Sequence, residues 1–165
     1  MNPARLRNDE RELREYASTS GGRVVVLGFE TQPWCAVLKL KIPCPADASF
    51  PRRRIEEVTL RISPQADHPV TKPEFFLSPV PFVPNVYESG RVCIGNDWGG
   101  TMALTTIVER IERFLVLDPV LSNPDSPANG SAAEWFRGMA LSKRIAIPTM
   151  RLVKTSAVGS SIRFL

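Results

Sequence analysis

Prolines at positions 64, 69, 73, 79, 81 and 84 crowd one stretch of the chain. Proline fixes φ and has no backbone N–H to give to a helix or a sheet ladder. Neither a helix nor a central strand can cross this stretch. It must be a long, stiff and largely irregular segment. The spacing leaves room for one short strand, Phe75-Phe76-Leu77, between Pro73 and Pro79.

Before the proline-rich stretch, residues 3–17 read as a helix. Pro3 suits a first helical position, and Leu6, Leu13 and Tyr16 fall near one face among Arg and Glu. Ser18 to Gly22 supplies turn residues that end it. Three strands follow. Val24 to Leu27 is a β-branched run. From Ala36 to Ile42 the apolar residues Ala36, Leu38, Leu40 and Ile42 alternate with Lys39 and Lys41. Val58, Leu60 and Ile62 alternate with Thr59 and Arg61. A period of two puts one face on a core and one in water. Short connections favour an antiparallel meander.

After the proline-rich stretch the period changes. Ile107, Ile111, Phe114 and Leu115 make one helical stripe over residues 105–117, with Glu109, Arg110, Glu112 and Arg113 largely elsewhere, and Asp118-Pro119 stops it. A turn-rich loop from Ser122 to Asn129 precedes a further helix over residues 130–145. The order predicts an α+β fold: an N-terminal helix, a four-stranded antiparallel meander sheet, and C-terminal helices. The 165-residue length and 43% hydrophobic content suit one domain with a real core. That domain is expected over residues 1–145, with residues 146–165 a C-terminal extension of unassigned structure.

Several function classes are excluded by what the chain lacks. No apolar run approaches the roughly 20 residues of a membrane-spanning helix, and the charged N-terminus has no signal segment, so a cytoplasmic protein without a membrane partner is expected. Cys35, Cys44 and Cys93 are too few and too scattered for a disulfide framework, and with a lone histidine, His68, they offer no zinc site. The net charge of +4 favours acidic partners but is too small and too dispersed for nucleic acid. Arg52-Arg53-Arg54 reads as a solvated loop. An odd cysteine in a reducing compartment raises the question of a nucleophile.

Short motifs in a fixed order then carry a resemblance. His68-Pro69-Val70-Thr71-Lys72-Pro73 resembles the Tyr-Pro-x-x-Pro-Pro stretch of ubiquitin-conjugating enzymes. Val83-Pro84-Asn85 is similar to their His-Pro-Asn motif, with Val in place of His. Gly90-Arg91-Val92-Cys93 resembles the Gly-x-x-Cys segment that bears the family's cysteine, and Asn85 and Cys93 stand eight residues apart as in the family. Trp98 follows as a family tryptophan does. Asn123 to Asn129, with Ala132-Ala133, resembles the loop and helix start after the family's second helix. The resemblance spans roughly residues 3–140. Between Cys93 and Trp98 the chain is several residues short, and Gly99-Gly100 stand where the family often has Ser-Pro-Ala, part of its ligase-docking surface. These departures and the heavy use of arginine look more like the divergent conjugating enzymes of bacterial modifier and antiviral defence operons.

The resemblance implies a transferase that holds ubiquitin or a ubiquitin-like modifier as a thioester on Cys93 and passes it to a target amine, without metal or small cofactor. Sulfur suits this work because thiolate is both a strong nucleophile and a good leaving group. Asn85 would stabilise the oxyanion or hold the active-site loop. Ser126 stands where many family members have Asp near the incoming lysine; it could orient the amine, with Asp125 acting as base through water. Arg5, Arg7, Arg11 and Arg14 on the first helix would meet the activating enzyme. The implied partners are that enzyme, the modifier and a protein substrate. Two other readings remain: a non-catalytic binding module of the same fold, which typically lacks the cysteine, and a cysteine hydrolase, which needs His68 beside Cys93.

Overall fold

A computed structural model describes residues 2–96, 98–122 and 126–142. Helix α1 runs Pro3–Thr19. Its start follows from Asn2, whose side-chain oxygen accepts the backbone N–H groups of Ala4 at 3.0 Å and Arg5 at 3.3 Å, satisfying donors that a helix start leaves open. Strands β1 (Val24–Thr31), β2 (Trp34–Leu40), β5 (Val58–Ser63) and β6 (Glu74–Ser78) form one antiparallel sheet in that order. A two-stranded ribbon of β3 (Cys44–Pro45) and β4 (Arg54–Ile55) is inserted between β2 and β5. Helices α2 (Leu104–Leu115) and α3 (Gly130–Ser142) follow. The α+β class and the four-stranded meander are as the sequence predicts; the β3–β4 ribbon is additional.

Register explains which face is buried. Leu38 pairs with Leu60, Leu60 with Leu77, and Ile62 with Phe75, so the alternating apolar residues of three strands fall into rows on one side. That side joins one core with Leu13 of α1, Ile107, Ile111 and Leu115 of α2, and Phe136 of α3. Each such side chain contributes about 1.5–3 kcal/mol by burial. Helix α2 stops at Leu115, two residues short of the expected end. Leu117 takes a left-handed φ of 58° and Asp118 N–H closes on Arg113 O at 3.0 Å. Residues 143–145 of the expected last helix, and the 146–165 extension, lie outside the described residues.

Among the described residues two carboxylates are buried, which hydrophobic periodicity does not predict. Asp9 of α1 is fully enclosed; it accepts from Arg5 Nε at 2.9 Å and meets His68 Nε2 at 2.9 Å. Glu112 of α2 is also fully enclosed; it accepts from Tyr16 OH at 2.6 Å and from Arg23 Nε at 3.2 Å. A buried charge is tolerated only when paired and hydrogen-bonded. Both carboxylates are, and together they pin α1 to the proline-rich segment and to α2. Among the described residues, no helix is long and apolar enough to cross a membrane.

Candidate active site around Cys93

The eight-residue interval between Asn85 and Cys93 is the path of a hairpin. Cys93 N–H donates to Asn85 O at 2.8 Å, Val86 bridges Val92, and Tyr87 N–H donates to Arg91 O at 2.9 Å. Gly90 N–H donates to Tyr87 O at 2.8 Å and closes the turn. The hairpin docks on the edge of β6, where Leu77 N–H donates to Gly90 O and Val92 N–H to Phe75 O, both at 2.8 Å. Gly90 has φ +84°, and a Cβ built there would stand 2.5 Å from Leu77 O. Only glycine fits both conditions. A rigid sheet edge thus presents Asn85 and Cys93 opposite one another.

Cys93 is half-buried, whereas Cys35 and Cys44 are buried. Burial, helped by the charge of Glu56, pushes the Cys44 thiol up to about 12. Cys93 stands between two concavities. The smaller, about 280 Å³, is lined by Cys93, Asn85, Ser126, Leu121 and Phe114, with Arg110 of α2 on its wall. The larger, about 510 Å³, is lined by Cys93 together with Lys72, Glu74, Tyr87 and Arg91. Asn85 is buried; its Nδ2 donates to Leu121 O at 3.4 Å, and its Oδ1 has no partner among the described residues.

The smaller cleft's far wall is held by local bonds. Val120 N–H donates to Asp118 Oδ1 at 2.8 Å, and Arg113 Nε donates to Asp118 Oδ2 at 2.7 Å. Partial burial alone would raise the Asp118 carboxyl, but these donors win and hold it below the ordinary carboxylate range. Ala128 N–H donates to Pro84 O at 2.8 Å and Asn129 N–H to the same oxygen at 3.1 Å, tying the loop that bears Ser126 to the residue before Asn85. Asn129 Oδ1 then caps α3 by accepting Ala132 N–H at 3.0 Å.

Cys93, Asn85 and Ser126 are therefore brought to one cleft, while Asp125 lies outside the described residues. Arg110 belongs to the cleft although its helix reads from sequence as a core stripe with charges elsewhere. It stands four residues before Phe114 and shares a face with it, but Phe114 reads from sequence as part of the core stripe, so the spacing gives no signal of a cleft.

His68 lines neither concavity beside Cys93. Its Nε2 is engaged by Asp9, and its ring lies 6.0 Å from that of Trp98, whose Nε1 donates to Pro69 O at 2.9 Å. The hydrolase pairing has no geometric support.

The four arginines of α1 do not form one surface. At about 100° per residue, Arg7, Arg11 and Arg14 share a stripe and Arg5 falls nearly opposite. Arg5 donates to Asp9, to Met102 O at 2.7 Å and to Gly100 O at 3.4 Å, and so serves the fold. Arg7 is exposed, Arg11 meets Asn8 and Glu15, and the Arg14 guanidinium sits 4.6 Å over the Phe29 ring.

No protein-family model matches the chain. It is 33% identical over 138 residues to ubiquitin-conjugating enzyme E2 2 of Debaryomyces hansenii, an alignment that covers 81% of this chain and 74% of that protein. It is 42% identical over 65 residues to ubiquitin-conjugating enzyme E2 2 of Mycosarcoma maydis, spanning 32% of that protein's length. It is 38% identical over 58 residues to ubiquitin-conjugating enzyme E2 3 of Arabidopsis thaliana, spanning 36% of its length. Among solved structures, one assigned to a ubiquitin conjugating enzyme from Plasmodium yoelii superimposes with a TM-score of 0.62 at 20% identity, over 86% of this chain and 89% of that one. That likeness concerns the fold.

Proposed function

The chain belongs to the ubiquitin-conjugating enzyme family, and from that premise we propose that it carries ubiquitin or a ubiquitin-like modifier as a thioester on Cys93 and delivers it to an amine of a protein substrate. The observation that carries this reading is the hairpin, which sets Cys93 and Asn85 across from each other at one cleft. The Cys93 thiolate attacks the thioester held by an activating enzyme. A carbon–sulfur bond forms, an oxyanion passes, and the activating enzyme's thiolate leaves. An amine later adds to the new thioester carbonyl and gives its proton to solvent or to a base of the Ser126 loop. Collapse of that oxyanion breaks the carbon–sulfur bond and returns Cys93 as thiolate.

Asn85 is the neutral donor for the second oxyanion. Its Nδ2 has two hydrogens, and the bond to Leu121 O uses one. Ser126 orients the amine, and Asp125 serves as the more capable base. Arg7, Arg11 and Arg14 form the contact for the activating enzyme.

The test is incubation with a cognate activating enzyme, ATP and modifier, read on non-reducing gels. A reductant-sensitive adduct is expected on Cys93, a more stable oxyester in Cys93→Ser, and none in Cys93→Ala. An adduct that persists in Cys93→Ala, or maps to buried Cys35 or Cys44, overturns the reading. In the same assay Asn85→Ala should still charge but discharge to lysine roughly a hundredfold more slowly. If Asn85 only shaped the loop, charging, discharge and thermal stability would fall together.

A further inference from the structure

We infer that Glu74 is an acceptor-binding residue of the transfer site: its carboxylate receives the ammonium of an incoming lysine beside the Cys93 thioester, so the favoured acceptor is a cationic amine. This rests on the reading above and adds a residue that neither the Cys93 motif nor the Ser126 loop contains.

The placement follows from register. The strand that ends at Cys93 runs between two neighbours, residues 85–87 and β6. Across the first pairing Cys93 meets Asn85, through Cys93 N–H to Asn85 O. Across the second, Arg91 bridges Phe76, Leu77 N–H donates to Gly90 O and Val92 N–H donates to Phe75 O. One step more on each strand brings Glu74 level with Cys93. Two residues beyond, the chains are still side by side, since Lys72 Nζ donates to Gly95 O at 3.0 Å. Alternation then assigns the faces. Phe75, Leu77 and Val92 are buried, whereas Glu74 and Arg91 are exposed and Cys93 is half-buried. Glu74 and Cys93 therefore share the outer face, and both line the larger concavity. Directly opposed residues of an antiparallel pair have Cβ atoms about 5 Å apart.

Four charged side chains line that concavity, and three are engaged. Lys72 holds Gly95 O, Arg91 lies over the Tyr87 ring at 4.7 Å, and Asp67 accepts from Thr71 Oγ1 at 2.6 Å. Among the described residues the Glu74 carboxylate makes no hydrogen bond or ion pair. Its two oxygens stay open to a donor. Formal charges balance in the concavity as a whole, so Glu74 acts on a cation at contact range and not through a long-range field. Its backbone is fixed, because Glu74 opens β6 and pairs with Ser63 of β5.

The two half-reactions use this carboxylate differently. Charging brings a thioester to a thiolate, and no cation has to reach Cys93. Discharge to lysine brings an ammonium to the thioester, and a free acceptor beside Sγ holds it there. An uncharged amine gains nothing from the contact.

The test is single-turnover discharge of pre-charged protein, wild type against Glu74→Gln and Glu74→Lys, after ATP is removed. Two acceptors are used: free lysine, whose side-chain amine is protonated at neutral pH, and hydroxylamine, which is largely uncharged. Glu74→Gln should slow discharge to lysine about threefold to fivefold at low salt, and Glu74→Lys about tenfold or more. Discharge to hydroxylamine and charging should both stay within about twofold, and Tm within about 2 °C. Added salt should slow the wild type with lysine and affect Glu74→Gln less. Wild-type discharge to lysine by both variants overturns the inference. So does an equal loss with both acceptors, which would mean that the substitution only disturbs the loop around Cys93. Slowed charging with normal discharge also overturns it, and would assign Glu74 to the modifier instead. Absence of any Cys93 adduct in the wild type overturns the parent reading first and this one with it.

Discussion

Gly90→Ala should damage this protein far more than its size suggests, because two independent costs meet at one atom. The backbone there has φ +84°, and a side chain in left-handed backbone costs about 1–2 kcal/mol. The added Cβ would also stand 2.5 Å from Leu77 O and 3.4 Å from Val80 Cγ2. Leu77 is in β6 and cannot give way without the sheet edge, so the hairpin must move instead. Moving it stretches the Leu77 N–H bond to Gly90 O, now 2.8 Å, whose loss costs about 1 kcal/mol. The sum is about 2–3 kcal/mol, or roughly 4–12 °C in Tm for a chain of this length. The assay is urea unfolding, where the midpoint should fall with little change in slope. Gly138→Ala is the control. Gly138 is exposed in α3, an added Cβ meets nothing within 4 Å, and the substitution should stabilise by about 0.5–1 kcal/mol. If Gly90→Ala loses less than about 1 kcal/mol, the hairpin is not locked to β6, and the rigidity argued for Asn85 and Cys93 fails with it.

Three other outcomes follow from the buried polar groups and from α1. Asp9→Ala should lose about 3 kcal/mol or more in the same unfolding assay, because Arg5 and His68 are left without their shared acceptor; a loss under 1 kcal/mol would mean that water already reaches them. Burial first, then the hydrogen bond and charge of Glu112, raise the Tyr16 phenol above its ordinary value. The folded state therefore holds this proton longer than the unfolded state, and the stability it confers is complete below about pH 10 and drains as pH rises beyond. Tyr16→Phe should cost about 2 kcal/mol at neutral pH and flatten the alkaline fall in Tm; an unchanged alkaline slope would refute the assignment. Reversing Arg7 and Arg11 to Glu should slow charging at low salt and leave Tm within about 2 °C, with the defect shrinking as salt screens it; equal charging would show that this stripe meets only solvent.

Much of the fold was legible because its rules are local. Alternation in Ala36, Leu38 and Leu40 needs no knowledge of the partner strand to predict a buried face, and all three are buried. The prolines that bar a central strand do not bar β6, which fits between Pro73 and Pro79. Helix ends were less legible, since Leu117 takes a left-handed φ of 58° that leucine itself disfavours. The buried carboxylates were not legible at all. Asp9 and Glu112 look like solvated members of charged helices, and their burial depends on partners distant in sequence, His68 and Arg23, beside Arg5 and Tyr16.

The same division runs through the site. Asn85 and Cys93 are picked from sequence through the motifs that carry the family resemblance, and the hairpin between them accounts for the eight-residue interval that those motifs keep. Arg5 was grouped with Arg7, Arg11 and Arg14 because sequence proximity shows charge but not direction; its carbonyl partners at Gly100 and Met102 are more than ninety residues away. Arg110 was passed over for the converse reason. Its helix announces a core stripe, and nothing in that helix says that its flank meets a loop arriving from Pro84 and Ser126. What closes the cleft is the pairing of the Ala128 and Asn129 N–H groups with Pro84 O, together with the bond from the Asn85 side chain to Leu121 O. The cleft is thus assembled from segments distant in sequence, with Arg110 and Phe114 of α2 on its wall, so which residues share it depends on pairings that no local pattern shows.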